Sequence, residues 1–83
     1  MTANNYEIAE NILSLPKKNE TDVYHLELNR VKWFGNPEKL DIRGWSDDRE
    51  KMTKGISLTE EEFIKIAHAG LEKLGGKEDA DYI

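Results

Sequence analysis

The chain has 83 residues, no cysteine, a formal net charge of −5 and a hydrophobic content of 37%. Such a length makes one small domain that buries only about 60–65% of its unfolded surface, so its core is marginal and a partner is expected. The missing cysteines exclude a disulfide framework and any thiolate metal site, and they fit a reducing compartment. Polar residues follow Met1, and no apolar window approaches the roughly 18 residues of a membrane span, so the sequence predicts a cytoplasmic protein with no membrane partner.

An acidic balance argues by itself against nucleic acid as a ligand, yet the charge is unevenly spread. Residues 1–29 carry two lysines against five acids, residues 30–56 seven bases against five acids, and residues 57–83 three lysines against seven acids. Only the middle third is basic. It also holds both tryptophans, Trp33 and Trp45, and Phe34.

In chain order, Tyr6 to Leu15 places apolar residues at spacings that fit a helix about as well as a strand with one phase slip, so periodicity leaves its type open. Pro16 ends it, and the polar run 17–22 forms a turn. Val23 to Phe34 has strand composition, with Tyr24, Leu26 and Leu28 alternating against His25, Glu27 and Asn29. Val31 and Trp33 fall on the other parity, which predicts a bulge near Asn29–Arg30 or, failing that, a change of buried face. Gly35-Asn36-Pro37-Glu38 closes a hairpin.

Lys39 to Trp45 alternates cleanly: Leu40 and Ile42 share one face, and Lys39, Asp41, Arg43 and Trp45 share the other. This second face sets an ammonium, a guanidinium and an indole along one strand, with a carboxylate placed to orient the arginine. After a charged loop at 46–50, Lys54 to Leu58 is predicted as a fourth strand with Ile56 and Leu58 inward and Gly55 at a bend or close approach. Thr59 with Glu62 forms a capping box for a helix that Gly75-Gly76 stops, and Leu58 with Phe63 suits the accompanying hydrophobic staple. Along it Phe63, Ile64, Ile66, Ala67, Gly70, Leu71 and Leu74 span about 160°, wider than the stripe of roughly 100° that one sheet contact requires, so the helix is expected to meet its own sheet and another subunit. Residues 77–83 are predicted to be an acidic, disordered tail to a single domain over 1–76.

Single-stranded nucleic acid is held by aromatic rings that stack on bases and by cations that pair with phosphates. The central stretch interleaves both, with Lys32, Lys39, Arg43, Lys51 and Lys54 against Trp33, Phe34 and Trp45. Trp33 and Phe34 point oppositely in a regular strand, so at least one of them is expected in the core. The Asp41–Arg43 pair also has a plain reading as a structural ion pair, and the lysines as solvated surface. Catalysis finds no support: the sequence has no nucleophile elbow or phosphate loop, His25 and His68 make no metal spacing, and the His25-Leu26-Glu27 triplet lacks the cysteines of a zinc deaminase site.

KLDIRGW at 39–45, followed by KMTKGISLTEEEF at 51–63, resembles the core of the positive-cofactor-four family of transcriptional coactivators. The longer form, VKWFGNPEKLDIRGW with an apolar segment before it, is similar to the bacterial YdbC-like branch, and the resemblance covers about residues 6–74. It implies an α+β fold, a four-stranded curved antiparallel sheet followed by a C-terminal helix (ββββα), paired through the helices into a homodimer. It also implies that Tyr6–Leu15 is a strand, and that the ligand is single-stranded DNA, with no enzymatic activity and no cofactor. Carried over by position, the family's arginine falls on Arg43, its next aromatic on Trp45, its lysine before G-I-S-L on Lys54 beside Gly55, and its turn aromatic on Phe34. Lys51 matches a loop lysine approximately. A second basic residue is replaced by Thr53 and a turn lysine by Pro37 or Glu38, with Lys39 the nearest substitute, departures that bear on affinity. The implied dimer interface is Phe63, Ile64, Ala67, Leu71 and Leu74. RNA binding, contact with the transcription machinery, and a protein-interaction adaptor with a basic centre are the alternatives.

Overall fold

In the computed structural model, which describes residues 5–75, the elements follow as β1 (Tyr6–Ser14), β2 (His25–Trp33), β3 (Glu38–Trp45), β4 (Ile56–Leu58) and α1 (Glu60–Lys73). The strands make one antiparallel sheet in the order β1-β2-β3-β4, the ββββα arrangement expected. The tail predicted at 77–83 lies outside the described residues.

The ambiguous first segment is a strand whose register against β2 shifts twice, between Ile8 and Glu10 and between Asn11 and Leu13. Each shift inserts one β1 residue, Ala9 and then Ile12, without a partner on β2. Directly opposed residues share a sheet face. Tyr6, Ile8, Asn11 and Ser14 therefore lie on one face and Glu7, Glu10 and Leu13 on the other, spacings of two and three that imitate a helix. The bulge expected near Asn29–Arg30 of β2 is thus corrected. β2 pairs with β3 in unbroken register from His25↔Trp45 to Lys32↔Glu38, and the extra residues sit in β1.

With β2 regular, His25, Glu27, Asn29, Val31 and Trp33 occupy one face beside Lys39, Asp41, Arg43 and Trp45 of β3. This polar and aromatic face contains buried Glu27, Asn29, Val31, Asp41 and Trp45. On the opposite, leucine-rich face, Leu40 and Leu58 are buried where α1 crosses, whereas Leu13 and Leu26 are exposed. The usual arrangement of apolar inside and polar outside is inverted over much of the single chain.

β4 is shorter than predicted, at three residues. Ile56 and Leu58 do share the leucine-rich face, opposite Ile42 and Leu40. Leu58 is 9% exposed beneath the helix and Ile56 is 51% exposed beyond it, so only the former is inward as expected. α1 begins at the predicted capping box: the Thr59 hydroxyl accepts from the Glu62 amide at 3.1 Å, and the Thr59 amide donates to Glu62 Oε1 at 2.9 Å. It ends where Gly75 turns with φ 88°. Arg30 ties its first turn to the sheet through Glu60 Oε2 at 2.5 Å. No residue of α1 is buried, and it packs mainly against β3 and β4.

Candidate nucleic-acid interface

The β2–β3 turn places the exposed aromatic. Gly35 has φ 77°, a left-handed conformation that glycine adopts without a Cβ penalty, and the Asn36 amide bonds Trp33 O at 2.8 Å. Phe34 leaves the strand there, its amide donating to Asn5 O at 2.6 Å and its side chain 79% exposed. Trp33 stays on the polar and aromatic face, half-buried, with the Tyr6 ring 5.4 Å away at 50°. Asn5, Tyr6, Glu7, Lys32, Trp33, Phe34 and Gly35 line an open cleft of about 230 Å³. Three aromatic rings and one ammonium thus converge at one end of the sheet. A larger cleft, about 640 Å³, lies among Ser14, Leu15, Pro16, Lys17, Asn19, Glu20, His25 and Asp47. It has no benzene or indole ring, and its Lys17 is spent on Asp47 at 2.9 Å.

Trp45, expected as a stacking platform, is instead a core residue with 0% exposure. Strand parity put it beside Arg43 correctly, but Tyr6 arrives from β1 with its ring centroid 5.7 Å away, and Met52 bridges to Trp45 from the following segment. The indole has no open face for a base. Among the described residues, no acceptor reaches its buried Nε1.

The bases of the central stretch divide into two groups. Arg30 pairs with Glu10 and Glu60, Arg43 with Asp41, and Arg49 with Glu27. Lys32, Lys51 and Lys54 are exposed, Lys39 is half-buried, and none of these four forms a salt bridge among the described residues. Gly55 sits against Arg43: a Cβ there would lie 2.3 Å from Arg43 Cβ and 2.5 Å from Ile42 O. Its expected close approach is therefore to the chain itself. Of the helical residues assigned to an interface, Phe63 and Ala67 are half-buried, while Ile64, Leu71 and Leu74 are exposed.

Sequence reasoning did not find a second polar cluster on the same face. Buried Glu27 takes Asn29 Nδ2 at 2.9 Å, His25 Nε2 at 2.5 Å and Arg49 at 3.1 Å, and Asn29 Oδ1 takes Asn11 Nδ2 at 2.6 Å. Burial pushes the Glu27 carboxyl up, but the bonds from Asn29, His25 and Arg49, with the charge of Arg49, outweigh it and hold its pKa below the ordinary value. Arg49 reaches Glu27 from a loop in which it adopts φ 60°. The loop is held by Ser46, which donates to Asp48 at 2.7 Å and accepts from the Lys51 amide at 3.0 Å. The shared parity of His25, Glu27 and Asn29 with Val31 and Trp33 is the sequence signal that points to this cluster.

Residues 26–69 match the family described as Transcriptional Coactivator p15 (PC4). A protein of Treponema pallidum (strain Nichols), named only as uncharacterized, is 49% identical over 43 residues, which are 52% of this chain and 51% of that protein. The chain spans about half the length of that relative.

Proposed function

The chain belongs to the transcriptional coactivator p15 (PC4) family, and from that membership we propose that it binds single-stranded DNA with little sequence preference. Bases stack on Phe34 and Trp33, and phosphates are held by Lys32, Lys39, Lys51 and Lys54. The observation that carries this reading is Phe34, a large apolar ring standing almost wholly in water at the rim of a cleft shared with Trp33, Tyr6 and Lys32. An isolated exposed phenylalanine is unremarkable, but one set among aromatic rings and beside the Lys32 ammonium fits a base with its phosphate. The role follows from the ligand: such a protein holds melted duplex during transcription regulation, replication or repair, in a cytoplasmic, nucleoid-associated setting.

The same reading includes a homodimer. Leu26, Ile56, Ile64, Ile66 and Leu71 are exposed on the leucine-rich face and the helix. Fully burying one such side chain is worth about 1.5–3 kcal/mol, and several exposed apolar side chains of this size favour a partner. A second copy paired through the helices would cover it and turn the inverted sheet the usual way round.

Titration of intrinsic fluorescence with an oligo-dT tests the binding. Trp45 is sealed, so the expected quenching comes from Trp33. With four lysines per chain contacting phosphate, log K should fall against log salt with a slope of about −3 per chain. An unchanged spectrum and no complex at low salt would refute the reading and leave an adaptor role, while equal or tighter binding of oligo-rU would make RNA the ligand. Light scattering behind a sizing column reads the oligomer, and a monomer at micromolar concentration would remove the dimer.

A further inference from the structure

We propose that Arg43, in the site read above as binding single strands, is a positioning residue for Trp33 and not a phosphate contact. Its fork is already occupied. Nε donates to Asp41 Oδ1 at 2.6 Å and Nη2 to Asp41 Oδ2 at 2.7 Å, a bidentate pair, while Nη1 points at Thr53 O and Met52 Sδ, 3.5 and 3.4 Å away. The guanidinium carbon lies over the Trp33 ring, 4.8 Å from its centroid, so the cation meets the indole face as well as its hydrogen-bond partners. The Arg43 side chain is 13% exposed and Asp41 is fully buried.

The circuit closes through Ser57 of β4. Its hydroxyl donates to Asp41 Oδ2 at 2.9 Å and accepts the Trp33 Nε1 proton at 3.1 Å. Trp33 is thus held at its edge by Ser57 and over its face by Arg43, with Asp41 joining the two holders. Gly55 leaves room for the Arg43 side chain to lie against the chain. Electrostatically the cluster is a neutral pair. Each phosphate neutralised by an added cation releases counterions, whereas a guanidinium already matched by a buried carboxylate offers no net charge for that exchange. Lysine is a poor replacement because an ammonium has neither the planar fork nor the stacking surface.

The test uses full-length protein in a Trp45→Phe background, where Trp33 is the sole indole, with oligo-dT binding measured across a salt series. Arg43→Lys should weaken binding about tenfold, within the range of a lost aromatic stack, and change the ligand-free near-UV circular dichroism of Trp33. The salt slope should stay at the parent value. Ser57→Ala removes no charge and should shift the same Trp33 signal with the slope unchanged. A phosphate contact gives the opposite pattern: Arg43→Lys binds like the parent, and Arg43→Ala loses about 0.7 from the slope. Either result, or an Arg43→Lys spectrum identical to the parent, overturns the proposal. Should Arg43→Ala fail to fold, the Lys and Ser57 variants still decide it. If the parent binds no single strand, the functional reading fails, and the ligand-free Trp33 signal tests the positioning role separately.

Discussion

Gly55→Ala should be among the most damaging small substitutions in the molecule. The added Cβ would sit 2.3 Å from Arg43 Cβ, 2.5 Å from Ile42 O and 2.8 Å from Arg43 Nε. Carbon pairs are most stable at about 3.5–4.0 Å, so the first overlap alone exceeds about 1.2 Å. Neither neighbour yields easily: Ile42 lies in the continuous ladder with β2, and Arg43 is pinned by Asp41. β4 must move, and it has only three paired residues, of which Ile42↔Ile56 is next to the clash. Overpacking of this kind costs about 1–3 kcal/mol, and with partial loss of β4 we expect the upper end. For a domain of this size that corresponds to a melting temperature roughly 12–24 °C lower. Thermal unfolding at matched protein concentration is the assay, since a dimer's midpoint depends on concentration. A variant melting with the parent would refute the packing argument, because no flexible side-chain end is available to absorb both backbone and Cβ overlap.

Phe34→Ala should leave unfolding within about 0.5 kcal/mol of the parent, as expected of an exposed side chain. The same change should cost oligo-dT binding about 1–3 kcal/mol by fluorescence titration; unchanged affinity would put the stacking elsewhere. Glu27 has a folded pKa below its ordinary 4.5, so its carboxylate contributes stability in full above that value, and the contribution is lost as pH falls through the lower folded value. Glu27→Gln should therefore be less stable at pH 7 by about 1–3 kcal/mol, with the gap closing in acid. Urea midpoints across pH read this, and a gap independent of pH would contradict it. Leu71→Asp places a charge on the exposed helix face and should shift the light-scattering mass of the proposed dimer to that of a monomer; a mass unchanged from the parent dimer would locate the interface elsewhere.

Local interactions were legible from the chain alone. The Thr59–Glu62 box, the Gly35 turn and the shared face of Lys39, Asp41, Arg43 and Trp45 all depend on residues within a few positions of one another, and each is present. The Asp41–Arg43 pair belongs with them, because an i, i+2 spacing in a strand guarantees a common face. The ββββα order was also available, from turn signals and family resemblance together.

Tertiary structure decided what covers each face. Parity set Trp45 beside Arg43, but its burial depends on Tyr6, brought from β1, and on Met52 across the loop. The two insertions in β1 are likewise a property of pairing, since a bulge exists only relative to the strand opposite. Counting seven bases in the centre could not reveal that three arginines are matched by acids, two of them through contacts distant in sequence, while four lysines form no salt bridge among the described residues. The sequence specified which side chains of β3 point together, whereas the faces of β1 and the regular course of β2 came from strand pairing. Whether side chains meet solvent, a counter-charge or a core was fixed only when remote segments closed on them, because burial and ion pairing are set by three-dimensional neighbours.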